Sequence, residues 1–209
     1  MDADRGLGKD VLVDTMLVFD PLALLVADAG RGDRRAAQAL VEAISPKIWR
    51  IAWRLLRDSA EAEDVTQEAL IRMWKMAPNW KPGRAKFETW LHHVATNLCF
   101  DRLRKAGRFV EENAAPEPCD QGPLPDADLV GQALRVRIDV ALSALPDRQR
   151  AAIVLTHYEG LSGKEAGEVL GVSVDALESL LARGRRTLRM ALAREKHELL
   201  EAAVEGYVA

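Results

Sequence analysis

Between Glu111 and Gly131 the chain reads EENAAPEPCDQGPLPDADLVG, and this stretch limits the possible folds more than any other. Its four prolines, at 116, 118, 123 and 125, withhold the backbone donors that a helix or sheet needs, and its apolar residues are too few to pack a core. The composition is that of a linker, so the chain divides into two parts, each of a size to hold one small core. The aromatics show the same division, because Trp49, Trp53, Trp74, Trp80 and Trp90 all precede the linker and no tryptophan follows it. No internal repeat at a solenoid period is present.

Charge is partitioned in the same way. Arg72–Arg108 holds nine basic residues against two acidic, Phe109–Gly131 none against six, and Arg183–Lys196 six against one, within a chain of net charge −3. A basic block is most often a solvated helix face, but two of them around an acidic spacer raise the case for a polyanionic partner. No apolar run reaches the roughly 18 residues of a membrane span, and Asp2, Asp4, Asp10 and Asp14 stand where a signal peptide carries positive charge. The expectation is a soluble, cytoplasmic protein with no membrane contact. Cys99 and Cys119 belong to no Cys-x-x-Cys or zinc-finger spacing, so no disulfide framework, structural metal or cofactor is expected.

Apolar periodicity predicts helix nearly throughout. Asp33 caps a helix over about Arg34 to Arg57, which Pro46 is expected to kink or divide. Asp58 with Glu61 starts another that runs to Met76 and is stopped by Pro78. NWKPGRAK is a loop, after which Phe87, Trp90, Leu91, Val94 and Leu98 mark a helix to about Arg104. Beyond the linker, Leu134, Ile138, Leu142 and Leu145 mark one helix, and Pro146–Asp147 start a second of about twelve residues that ends at Gly160.

The spacing then becomes specific. Ser162 with Glu165 forms a capping box, Gly171 ends a short helix, and Ser173 caps a long one about three residues later, which is a helix-turn-helix by spacing. Val174, Leu177, Leu181, Gly184, Leu188 and Leu192 form the apolar stripe of the long helix, leaving Asp175, Ser179, Ala182, Arg183 and Arg186 on the opposite face. Arginines there can donate to guanine or phosphate while the small residues allow close approach to base edges, so DNA recognition is preferred to a merely solvated face.

Three segments, SAEAEDVTQEALIRMWK, GRAKFETWLHHVATNLCFDRLRK and ALPDRQRAAIVLTHYEGLSGKEAGEVLGVSVDALESLLARGRRTLR, in this order and spacing, resemble the extracytoplasmic-function (ECF) sigma factors of bacterial RNA polymerase over about Asp20 to Arg194. The resemblance implies an all-α chain of two helical domains joined by an acidic, Pro-containing linker, the second a helix-turn-helix domain. Residues 20–108 would be region two, which binds core polymerase and the −10 element, 109–131 the linker, and 132–194 region four, which binds the −35 element. Extensions at 1–19 and 195–209 lie outside it.

The resemblance also implies roles. Asp64, Gln67 and Glu68 would dock on core RNA polymerase. Asn79, Trp80, Lys81, Arg84 and Lys86 of the loop, with Trp90, His93, Asn97 and Arg104, would recognise and melt the −10 element of promoter DNA. For Trp90 and Phe87, which also sit on the apolar stripe, core packing is the stronger reading. Asp101 fits the family's Asn-x-x-x-Asp-x-x-Arg spacing from Asn97, and a structural salt bridge or cap suits it best. Ser173, Asp175, Glu178, Ser179, Arg183 and Arg186 would face the −35 element, although Glu178 and Leu180 stand where many members carry a basic residue and an arginine. An anti-sigma factor is a further implied partner, and the linker either threads the polymerase cleft or is a tether. An enzyme built on His92, His93 and Cys99 fits poorly, because adjacent histidines on a helix diverge by about 100° and no carboxylate pair or phosphate loop supports catalysis. A stand-alone helix-turn-helix regulator would leave the tryptophan-rich first half unexplained.

Overall fold

The structure is a computed structural model and describes residues 20–81, 86–107 and 137–208. The N-terminal extension, the linker 109–131 and the loop residue Arg84 lie outside the described residues. Among the described residues all regular structure is helical. Helices α1 (Pro21–Gly30), α2 (Arg34–Leu56), α3 (Ser59–Met76) and α4 (Phe87–Lys105) form a first group, with a 3₁₀ turn at Ala77–Asn79 after α3. A second group holds α5 (helical across 137–143), α6 (Asp147–Ile153), α7 (Gly163–Leu170) and α8 (Val174–Val208).

Local chemistry starts and stops most of these helices. The Asp33 carboxylate accepts from the N–H groups of Arg35 and Ala36, and that of Asp58 accepts from Glu61, so each satisfies donors that a helix start leaves open. Asp20 serves two helices. One oxygen accepts from Leu22 and Ala23 at the start of α1, and the other accepts from the N–H of Phe87, 3.0 Å away, at the start of α4, where Lys86 offers no side-chain cap.

Helix α2 is the spine of the first group and packs on α1, α3 and α4. Its Ile44, Ile48, Ile51 and Leu55 recur at helical spacing and are fully buried; each such side chain contributes about 1.5–3 kcal/mol relative to exposure. Pro46 does not divide α2, contrary to one of the two expectations for it. Both Pro46 and Glu42, whose carbonyl loses its partner, are exposed, so water can replace the missing bond.

In the second group Leu142, Leu145, Leu155 and Leu177 are fully buried. Helix α8 crosses α6 at Gly184, where an added Cβ would lie 2.8 Å from Ile153 Cδ1. The helix expected to run to Gly160 instead leaves α geometry after Ile153. Val154–Tyr158 form a π turn, closed by the Glu159 N–H donating to the Val154 carbonyl, and Gly160 ends it at φ 68°. The widened turn carries Tyr158 and Glu159 toward α2. Val174, assigned to the apolar stripe by periodicity, is 47% exposed because it lies in the first turn of α8, short of the packed Leu177.

The two groups touch. Helix α4 packs on α7, α2 approaches α6, and the buried apolar side chains form one continuous cluster.

Candidate nucleic-acid interface

The helix-turn-helix is built from α7, the turn and α8. Ser162 Oγ accepts from the Glu165 N–H while the Glu165 carboxylate accepts from the Ser162 N–H, which completes the capping box. Gly171 ends α7 at φ 65°, a left-handed conformation that glycine adopts without strain. Ser173 Oγ then accepts from the Ala176 N–H at 3.2 Å and starts α8.

On α8, Asp175, Glu178, Ser179, Ala182 and Arg186 are exposed and Arg183 is half-buried, while Leu177, Leu180 and Leu181 face inward. The face named from the sequence is therefore outward, and Leu180 belongs to the core. Arg183 Nε donates to the Ser179 carbonyl at 3.2 Å, which holds its guanidinium along the helix. Glu178 lies 3.8 Å from Arg185, an exposed basic residue absent from the sequence-derived set.

Helix α4 carries the second surface. Lys86, Trp90, His93, Asn97 and Arg104 share one stripe by helical spacing. Lys86, His93 and Arg104 are exposed, and Trp90 and Asn97 are half-buried. Asn97 Nδ2 lies 3.1 Å from the His93 ring, and Arg104 donates to Asp101 at 2.7 Å. Of the loop, Asn79 and Lys81 are exposed and Trp80 is half-buried. Trp80 meets Phe87 edge-on at 5.6 Å, and Trp90 stacks on Phe87 at 5.7 Å. Phe87 is fully buried and is a core residue, whereas both indoles keep part of their surface in solvent.

Helix α3 carries the third. Asp64 and Gln67 are exposed and Glu68 is half-buried; Asp64 lies 3.4 Å from Arg102, and Glu68 pairs with Arg72 at 2.8 Å. Ile71 and Trp74, 53% and 38% exposed, extend this face, and neither belongs to the set named from the sequence. A mixed acidic and apolar patch of this kind suits a protein partner.

His92, His93 and Cys99 do not converge on a reactive site. His92 is buried against Glu159, His93 is exposed beside Asn97, and burial pushes the Cys99 thiol far above its ordinary range. Among the described residues no group of three or more His, Cys, Asp or Glu could hold a metal ion, and no helix is long and apolar enough to cross a membrane.

Glu165 has a second partner, Lys86, whose Nζ donates to it at 2.8 Å. This bond from Lys86, followed by those from Ser162, holds the Glu165 carboxyl down to about 2, and the carboxylate in turn raises the Lys86 ammonium. A carboxyl depressed by folding stabilises above its unfolded value of 4.5 and loses that contribution as pH falls toward 2. The difference in urea midpoint between the wild type and Glu165→Gln should therefore be constant above about pH 5.5 and shrink steadily below it. A difference that does not vary with pH would show that the charge is not what the site uses.

A capped helix, a glycine turn and a second helix with a polar outer face define a nucleic-acid-binding protein of the helix-turn-helix class. Comparison with known proteins narrows this. Residues 40–109 match the family model of sigma-70 region 2, and residues 135–188 match that of sigma-70, region 4. The ECF RNA polymerase sigma factor SigE of Mycolicibacterium smegmatis is 38% identical over 191 residues, covering 88% of this chain and 73% of that one. SigW of Bacillus subtilis, also an ECF sigma factor, is 34% identical over 172 residues, covering 78% and 91%. The solved structure of CnrH in complex with the cytosolic domain of CnrY covers 84% of this chain and 99% of that chain at TM-score 0.61 and 28% identity.

The chain belongs to the ECF sigma factors of bacterial RNA polymerase. It is a transcription-initiation factor that binds core polymerase and recognises promoters, not an enzyme. The stand-alone regulator is not favoured, because both the first and the second half match sigma regions.

Proposed function

We propose that residues 20–108 work as region two and 132–194 as region four, joined by the tether 109–131. On this reading α3 docks on core polymerase through Asp64, Gln67 and Glu68, with Ile71 and Trp74 as the apolar centre of the contact. The α4 stripe of Trp90, His93, Asn97 and Arg104, with loop residues Asn79, Trp80, Lys81, Arg84 and Lys86, engages and opens the −10 element. The half-exposed indoles of Trp80 and Trp90 offer a surface on which an unstacked base can rest, and the surrounding cations offset phosphate charge. The outer face of α8, with Ser173, Asp175, Glu178, Ser179, Arg183 and Arg186, reads the −35 element. Work on promoters places the protein in the cytoplasm. A relative solved with the cytosolic domain of another protein supports an anti-sigma partner for this chain as well.

The observation that carries the reading is the exposed acidic and apolar face of α3 in a chain that also presents a helix-turn-helix. Reversing charge at Asp64 and Glu68 together should weaken core binding by about tenfold or more, since the cations put there would repel the basic surface that the two carboxylates attract. Both are surface pairs, each worth at most about 1 kcal/mol, so the fold should survive. Titration of labelled protein with core polymerase, with circular dichroism as the control, checks this. A folded double variant with wild-type affinity would refute the docking surface.

A further inference from the structure

The connection between α3 and α4 carries Asn79 and Trp80, and its own chain does not fix where those side chains stand. Extended, the stretch from Ala77 to Lys86 would reach roughly 33 Å, so its two ends are free to separate or close. Helix α2 packs on the bodies of α3 and α4. The ends of those helices that face the loop are held by another element, α1.

The C-terminal end of α1 meets the chain where the loop leaves. Gly30 lies so close to the Ala77 carbonyl and the Pro78 nitrogen that no side chain fits between them. That carbonyl accepts from the Trp80 N–H at 3.1 Å. The N-terminal end of α1 meets the chain where the loop returns. One Asp20 oxygen caps α1, and the other accepts from the Phe87 N–H at 3.0 Å, a donor at the start of α4 for which Lys86 offers no side-chain cap. The ten residues of α1 span about 15 Å at 1.5 Å per residue, which sets the distance between the two anchors.

Both supports of Trp80 therefore lead back to α1. Its backbone belongs to the turn lodged against Gly30, and its ring rests edge-on at 5.6 Å from Phe87, whose N–H Asp20 holds. The indole Nε1 is buried with no hydrogen-bond partner among the described residues, so no polar contact places the ring independently.

We propose that α1 sets the span of the −10 loop and that Asp20 is a positioning residue for promoter opening, keeping Trp80 where an unstacked base can settle. The inference rests on the reading of Trp80 as part of the −10 surface. A base that leaves its stack needs a surface already in place, because ordering that surface at the same moment adds to the barrier. Asp20→Asn separates this role from capping. Asparagine caps a helix as well as aspartate does, so α1 still starts. Its single oxygen serves that cap, however, and its NH₂ is left facing the Phe87 N–H, donor against donor.

The test uses the full-length chain and its holoenzyme. Asp20→Asn should keep its helical circular dichroism, while hydrogen exchange read by mass spectrometry should quicken in peptides covering Trp80 and Phe87 and stay unchanged in α7. On a duplex promoter with 2-aminopurine in the −10 element, the variant holoenzyme should unstack the base about tenfold more slowly, as a misplaced contact surface predicts. Affinity for core polymerase, and for a fragment bearing only the −35 element, should stay within about twofold, because sites that share no partner respond independently. Trp80→Ala should slow unstacking by a similar factor and add little to Asp20→Asn, since the ring it removes is already displaced. Unchanged exchange at Phe87, losses that multiply in the double variant, a matching loss of core affinity, or wild-type unstacking by Asp20→Asn where Trp80→Ala is slow would each overturn the role of Asp20. Faster exchange in Asp20→Asn together with wild-type unstacking by Trp80→Ala would uphold the anchor and overturn the −10 reading of Trp80 instead.

Discussion

Replacing Gly30 with alanine should cost about 2 kcal/mol of stability and disturb the loop that carries Asn79 and Trp80. Gly30 is the last residue of α1, where alanine would ordinarily help, by up to about 1 kcal/mol in a helix interior. Here the added Cβ would fall 2.4 Å from the carbonyl oxygen of Ala77, 2.6 Å from its carbon and 2.9 Å from the nitrogen of Pro78. All three are backbone atoms, so no side chain can swing away. That carbonyl already accepts the N–H of Trp80, which closes the 3₁₀ turn leading into the loop. Either α1 lifts off, exposing Val26 and Ala29, or the turn shifts and carries Trp80 from Phe87. Overpacking of this kind costs about 1–3 kcal/mol, which outweighs the helical gain. Urea unfolding followed by circular dichroism checks the sign. Gly32→Ala is the informative control, because Gly32 has φ 92° and open space around it, so only local strain of about 1 kcal/mol applies. Equal midpoints for wild type and Gly30→Ala would mean that α1 does not hold the turn in place.

Alpha1 was itself illegible in the sequence. Its ten residues are apolar on most sides, so no stripe stands out, and its cap Asp20 is shared with α4, which begins 67 residues later. The helices that were read correctly announce themselves locally. Asp33, Asp58, Ser162 and Ser173 each bond to a backbone N–H two or three residues ahead, and Gly171 adopts the left-handed angle that ends α7. These signals are complete within one turn of chain. The contacts between the two groups have no such signal, since Glu159 meets Arg54 and His92 only after both groups have folded. Periodicity placed His92 on a helix without saying what lay opposite it. The same limit explains why Phe87 and Trp90 shared one reading: both lie on the apolar side of α4, but Phe87 sits beneath the two indoles and Trp90 at the margin.

Removing Arg186 should weaken binding to the −35 element by about 1–3 kcal/mol if its lost contact is bidentate to a base. The outer face of α8 has a dual character that makes this residue the sharper probe. Its first two turns carry Asp175 and Glu178, and cations follow at Arg183, Arg185 and Arg186, so the N-terminal end resists phosphate while the C-terminal end attracts it. Arg183 is half-buried with its Nε held on the Ser179 carbonyl, which limits its reach; Arg186 is exposed. Arg185 leans toward Glu178 at 3.8 Å, so the acid partly neutralises the cation most able to join Arg186 on DNA. Glu178→Lys would replace a negative charge with a positive one and release Arg185, tightening binding while relaxing sequence choice. Titration of holoenzyme on promoter fragments across a salt series separates the roles. Loss of a phosphate contact lowers the salt slope by about 1 and weakens all sequences alike, whereas loss of a base contact erases discrimination at one position. If Arg183→Ala and Arg186→Ala both keep wild-type affinity, slope and sequence preference, this face of α8 does not lie in the groove.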